Sequence, residues 1–271
     1  MLNNLRDASE TISMEAAGGT AMDKAAERIP AFLSSASEFL AKNIFAPIAS
    51  VFGAKDLGWL ALRIQHKPFS ELRGTQLVAP QGFKGTLAEY GQALVAMVES
   101  ISDLEKDVLV PYATWLAQRI AEPESLKSIS GSLRIPGLDA PKLDSLKKRL
   151  DTFFPDKVDE RDPIYSELFR RQADWNELNQ LSKKLQTLYA DGRYEKVQKK
   201  VPEIVDLLDV LSVRVSEHKE EFQFSSVAME QLSKVTFQIA ELVEFYGVVR
   251  HRVDEYLKTI NQNVEIVKPL V

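Results

Sequence analysis

From Leu232 to Ile260 the chain places an apolar residue at alternating intervals of three and four: Leu232, Val235, Ile239, Leu242, Tyr246, Val249, Val253, Tyr256 and Ile260. A period of 3.5 residues held over four heptads draws one stripe along a helix. A stripe of that length is stable only where other helices cover it. With Ser225 and Ser226 as capping hydroxyls, the helix runs for about 40 residues, or 60 Å at 1.5 Å per residue. The rest of the fold must supply helical partners, from the same chain or from a second subunit.

Two further segments meet that demand. Asp162 before Pro163 reads as a helix opening, because proline loses nothing by lacking an N–H at the first helical position. From there Leu168, Trp175, Leu178, Leu185 and Leu188 share a face until Asp191-Gly192 ends the helix. The next helix carries Val197, Val201, Ile204, Leu208, Leu211 and Val215, with Pro202 marking either a kink or the true start. Three consecutive helices with short joins predict an up-down-up bundle. A helix over Lys142 to Phe154 or a second subunit can cover what the bundle leaves open.

The N-terminal half is helical in composition but interrupted. Thr20 and Asp23 resemble a helix start, and Pro30 and Pro47 punctuate the segment that follows through Phe52. Asp56 to Arg63 is a short apolar helix and Lys67 to Gly85 an irregular loop. Thr86 to Ala121 is a long helix, bent or interrupted at Pro111. No segment alternates as a strand, so the predicted class is all-α. The breakers Gly131, Pro136, Gly137 and Pro141 mark a linker over 131–141. It separates an N-terminal helical region, 16–130, from a C-terminal bundle, 142–271, and residues 1–15 stand apart as a leader.

Composition narrows the function classes. The 271 residues carry a formal charge of -5 with 45% apolar content, which suits a globular protein and gives no chain-wide grip on nucleic acid or anionic membrane. Charge is uneven: residues 1–140 hold 29 charged side chains and residues 141–271 hold 44, so the second half presents the more solvated helical surface. The absence of cysteine removes disulfides, thiolate catalysis and cysteine-ligated metals. The leader has no apolar core of a secretory signal and carries acids that a mitochondrial presequence avoids. The charge-free stretch NIFAPIASVFGA, residues 43–54, is far shorter than the roughly 20 apolar residues that span a bilayer.

No reaction chemistry converges by spacing. His66, His218 and His251 form neither an HExxH nor an HxH pair, and no metal is assigned. Glu241 with Glu244, and Asp254 with Glu255, lie beside the heptad seam, where carboxylates normally form the solvated rim. The Glu-x-x-His motifs of a di-iron bundle are lacking. Gln81 to Thr86, QGFKGT, has glycines and a lysine before a helix, but Thr86 follows Gly85 without the lysine a Walker loop requires. Lys183, Lys184, Arg193, Lys196, Lys199 and Lys200 form a basic run around two tyrosines and are candidate nucleic-acid contacts. The expectation is a chain with no catalytic residues and no cofactor, and not an enzyme.

Small-x-Glu tripeptides end at Glu10, Glu15, Glu27, Glu38 and Glu230. The last three fall in predicted helices. Ala8-Ser9-Glu10 and Ser13-Met14-Glu15 lie instead in the polar leader before Gly18-Gly19, where exposure and weak local structure would permit proteolysis. In this the chain resembles the processed internal head proteins of giant tailed phages related to phiKZ. There an N-terminal propeptide directs the protein to the assembling prohead, and a maturation protease cuts after a small-x-Glu tripeptide. The segment from Phe224 to Val253 is also similar to the late helix of such virion proteins.

The resemblance implies a propeptide of residues 1–15, cut between Glu15 and Ala16 after Ser13-Met14-Glu15, with a second candidate cut after Glu10. It implies a substrate of the maturation protease, synthesised in the host cytoplasm and housed inside the capsid. Its partners would be other head and capsid proteins, a weak contact with packaged DNA and a further copy of itself. Two other readings stay open. One is a membrane-active helical effector using the apolar run through Phe52; the other is a cytoplasmic adaptor that oligomerises through its long last helix.

Overall fold

The computed structural model describes residues 2–17, 22–50, 76–78, 87–121, 134–138, 143–146, 148, 166–168, 172–217 and 226–266. The fold is all-α. Seven α-helices are described: α1 Leu2–Ala17, α2 Met22–Ser50, α3 Leu87–Leu104, α4 Val110–Ala121, α5 Gln172–Ala190, α6 Arg193–Glu217 and α7 Ser226–Ile266. The one sheet among the described residues is a pair of three-residue strands, β1 Gln76–Val78 and β2 Ser166–Leu168, antiparallel with Leu77 opposite Glu167.

That pair corrects the helix start expected at Asp162-Pro163. Leu168 lies in β2 opposite Gln76, and α5 begins only at Gln172. The partner strand is some ninety positions earlier in the chain, so the local capping signal could not register the pairing. Within α5, Leu178, Leu185 and Leu188 are buried as the helical period requires, and the helix ends before Asp191-Gly192.

Pro111 interrupts its helix one turn early. A proline there has no N–H to give the Asp107 carbonyl, and its ring crowds that oxygen. Residues Glu105–Leu109 therefore form a π-helical turn, closed by the Val110 N–H on the Glu105 carbonyl, and α4 resumes directly at Val110. Pro202 lies well inside α6, so it is not the start of that helix. All six apolar positions expected for α6 are buried.

The chain divides into two compact units. The first holds residues 1–46, 102–147 and 195–245; the second holds 47–101, 148–194 and 246–271. This differs from a division at 131–141. The helical runs 87–121, 172–217 and 226–266 each contribute segments to both units, so no single linker parts them. Two of the breakers in the expected linker, Pro136 and Gly137, make a local turn, and Gly131 and Pro141 lie outside the described residues: Ile135-Pro136-Gly137-Leu138 is closed by the Leu138 N–H on the Ile135 carbonyl at 3.0 Å, with Gly137 at φ 83°. Proline followed by a positive-φ glycine is the type II arrangement. The helix expected over Lys142 to Phe154 is described for 143–146 and 148, which are helical, with Leu143 and Leu146 buried; the remainder lies outside the described residues.

The stripe on α7 is covered by its own chain. In the first unit the Tyr112 hydroxyl of α4 reaches Thr236 Oγ1 at 2.6 Å, and Arg6 of α1 lies over Phe237. In the second unit Tyr246 meets Ser100 of α3 at 2.7 Å, and Tyr256 meets Tyr90 edge-on with ring centroids 5.7 Å apart. Burial also extends beyond the seam to Ala228, Met229, Ser233, Thr236, Ala240, Val243 and Leu257. That is wider than a two-stranded coiled coil needs, and of the seam positions described only Val235 is half-buried rather than buried.

Candidate processing site on the first helix

The leader is not irregular. Leu2–Ala17 is α-helical, and Leu5, Ser9, Ile12 and Ala16, at intervals of four, three and four, turn one face inward and are buried. Asp7, Glu10 and Met14 lie outward, Met14 at 76% exposure. This corrects the expectation of an exposed, weakly structured segment. The stripe is present in the sequence, but two of its four members are Ser and Ala, so it carries little apolar signal.

Two cations hold the helix in the first unit. Arg6 donates to Glu241 Oε1 of α7 at 3.5 Å and stands 5.7 Å from the Phe237 ring centre. Arg28 of α2 stands 3.2 Å from Glu15 Oε1. Glu15 Oε2 is buried with no hydrogen-bond partner. The pair is partly shielded, with the Glu15 side chain 19% exposed against 53% for Arg28.

The helix distinguishes the two candidate cuts. Seven helical residues follow Glu10, whereas only Ala16 and Ala17 follow Glu15. The last four carbonyls of an α-helix lack intrahelical N–H partners, and here they include those of Met14, Glu15 and Ala16. Freeing the Glu15–Ala16 bond requires unwinding the final turn; freeing the bond after Glu10 requires opening the helix near its middle. Glu27, Glu38 and Glu230 all lie inside α2 and α7.

Three of the six cations in the basic run are paired with acids. Arg193 is a structural clamp: its guanidinium grips Asp191 and donates to the carbonyls of Val98 at 3.0 Å and Glu99 at 3.2 Å. Asp191 holds its pKa above the ordinary guanidinium value. Lys184 pairs with Glu99 at 2.8 Å and Lys200 with Glu203 at 2.6 Å. Lys183, Lys196 and Lys199 are exposed. The first three of the six cations belong to one unit and the last three to the other.

Of the remaining candidates, His66, His218 and the loop from Gln81 to Thr86 lie outside the described residues. His251, Asp254 and Glu255 are placed on α7 by the backbone alone. Glu241 belongs to the Arg6 contact, and Glu244 is half-buried. No group of acids and histidines among the described residues can hold a metal ion, and no helix among them is long and apolar enough to cross a membrane. Residues 43–50 continue α2, and 51–54 lie outside the described residues.

Burial, followed by the nearby charge of Glu241, raises the Glu244 pKa above its ordinary value. The folded state therefore binds this proton more tightly than the unfolded chain, and stability falls as pH rises from the unfolded pKa through the folded one. Glu244→Gln is expected to flatten that decline and to raise stability at neutral pH. Urea denaturation between pH 4 and 7 checks the result, roughly spanning ordinary carboxylate titration; an unchanged pH slope would contradict it.

No protein-family model, curated protein or solved structure matches the chain.

Proposed function

We propose that the chain is a non-enzymatic structural protein of a phage head, housed inside the capsid, with α1 as a propeptide removed by a maturation protease after Glu15. The position of Ser13-Met14-Glu15 in the last turn of a separate helix carries this reading. A protease needs its substrate extended, and this is the small-x-Glu copy whose helix yields at least cost. Directing the protein to the prohead, contacts with other head proteins and any weak contact with packaged DNA belong to the same proposal.

The packing of α1 suits removal. Leu5 and Ile12 are its two large buried side chains in the described core, each worth about 1.5–3 kcal/mol. Against that stands the ordering of a 16-residue helix, which is marginal in water by itself. Attachment to α2 thus supplies much of what keeps α1 seated.

Protein recovered from mature particles is expected to begin at Ala16. Glu15→Ala is expected to leave it uncut there, while Glu10→Ala is processed normally. Intact-mass measurement of particle-derived protein checks both variants. Mature particles containing the chain from Met1 onward would end the proposal.

A further inference from the structure

We infer that the face of α7 carrying Phe237 and Glu241 is a helix-docking surface, occupied by α1 in the intact chain and open, once α1 has gone, to a cation-bearing amphipathic helix of another protein. The event that vacates it rests on the proposed cut after Glu15. What it accepts follows from α1 itself.

The seated helix gives the complement required. It buries apolar or small residues at intervals of four, three and four, with Ser9 and Ala16 small, and the cation directly after the first of them reaches α7. Arg6 serves two groups on adjacent turns of α7, the Phe237 ring and the Glu241 carboxylate. A planar guanidinium can lie on an aromatic face while donating sideways to a carboxylate, whereas an ammonium provides only a point charge. The surface therefore selects for arginine at that position and rejects an acid.

In the intact chain α1 is its own competitor. Only residues 18–21 separate it from α2, and a short link gives an effective concentration of about millimolar. Cleavage removes that advantage. It also creates an ammonium on Ala16, which is buried in the intact chain, and a carboxylate on Glu15. Two new charges in a water-poor position favour separation of the ends.

The test requires no cleavage. A fluorescent peptide of residues 1–15 is titrated into full-length chains by anisotropy. Ile12→Asp, which weakens the resident helix, is expected to bind the peptide about tenfold or more tighter than the wild-type chain. Adding Glu241→Arg is expected to weaken that binding about tenfold, and an Arg6→Glu peptide to restore it. Equal affinity for wild-type and Ile12→Asp chains, or indifference to Glu241→Arg, overturns the proposal.

Should the Ile12→Asp chain not fold, hydrogen exchange on the wild-type chain decides. Amides of residues 5–17 are expected to exchange at least about a hundredfold faster than those of residues 232–245, and equal protection overturns the inference. Unprocessed protein in particles would remove the cut while leaving these results untouched. Failure of the binding and exchange results would remove the surface and leave the cut standing.

Discussion

Replacing Gly91 with alanine is expected to destabilise the protein by about 1–3 kcal/mol, the usual range for forcing an extra methyl group into a packed core. In an unconstrained helix interior the same change would stabilise by about 0.5–1 kcal/mol, because glycine loses the most backbone freedom on folding. Packing decides the sign. A Cβ at Gly91 of α3 would run into the Tyr256 hydroxyl, with Cζ of the same ring 2.9 Å away and Leu181 Cδ1 at 3.1 Å. Tyr256 is fully buried and held edge-on to Tyr90, so its ring has little room to swing clear. Gly91 is thus a point of close approach among α3, α5 and α7 within the second unit. Tyr256→Phe removes the nearest clashing atom but leaves Cζ, so the double variant is expected to recover part of the loss. Chemical denaturation of the two single variants and the double decides this, and an alanine variant at least as stable as wild type would show that the approach is not tight.

Much of this architecture is legible in the sequence, and the exceptions share a cause. The six positions of α6 and the α7 stripe are legible because large apolar residues repeat there over many turns, and burial has no other way to satisfy them. Leu168 fits the helical period of α5 by chance, because its strand is stabilised by residues 76–78, a pairing that leaves no local periodicity. Pro111 signals a disruption, but the π-turn that absorbs it lies at residues 105–109, upstream of the residue responsible. The two-unit organisation is not legible at all. Breakers in the sequence mark where a helix stops, whereas these units divide helices that do not stop.

The candidate site follows the same logic. The tripeptide Ser13-Met14-Glu15 is plain in the sequence, but its helical setting is not, because a stripe of Leu5, Ser9, Ile12 and Ala16 is only half apolar. Arg6 and Arg28 do not stand out among the chain's 34 basic residues. Their partners, Glu241 and Glu15, are fixed by tertiary contacts across the first unit that no spacing rule reports. On the proposed cut after Glu15, a protease would have to open a docked helix end whose glutamate is already engaged by Arg28.

A buried hydroxyl pair on α4 and α7 gives a second large effect, and one whose pattern is diagnostic. Thr236 Oγ1 donates to the Leu232 carbonyl at 2.7 Å, so its remaining capacity is as an acceptor, and the Tyr112 O–H must be the donor at 2.6 Å. Burial pushes the Tyr112 hydroxyl above its ordinary pKa, which keeps it protonated and donating. Thr236→Val keeps the shape but strands that donor in a site closed to water, at a cost of about 1–3 kcal/mol. Tyr112→Phe takes away the donor and leaves Thr236 still bonded to its own helix, so its cost is about 0.5–1.5 kcal/mol. The double variant replaces both polar partners with apolar groups of the same outline. It is expected to be more stable than Thr236→Val alone, because removing the phenol hydroxyl relieves the stranded donor. Denaturation midpoints for the four proteins complete the cycle. Additive losses would mean that the two hydroxyls are not coupled, and that the position of α7 against α4 is set by apolar packing alone.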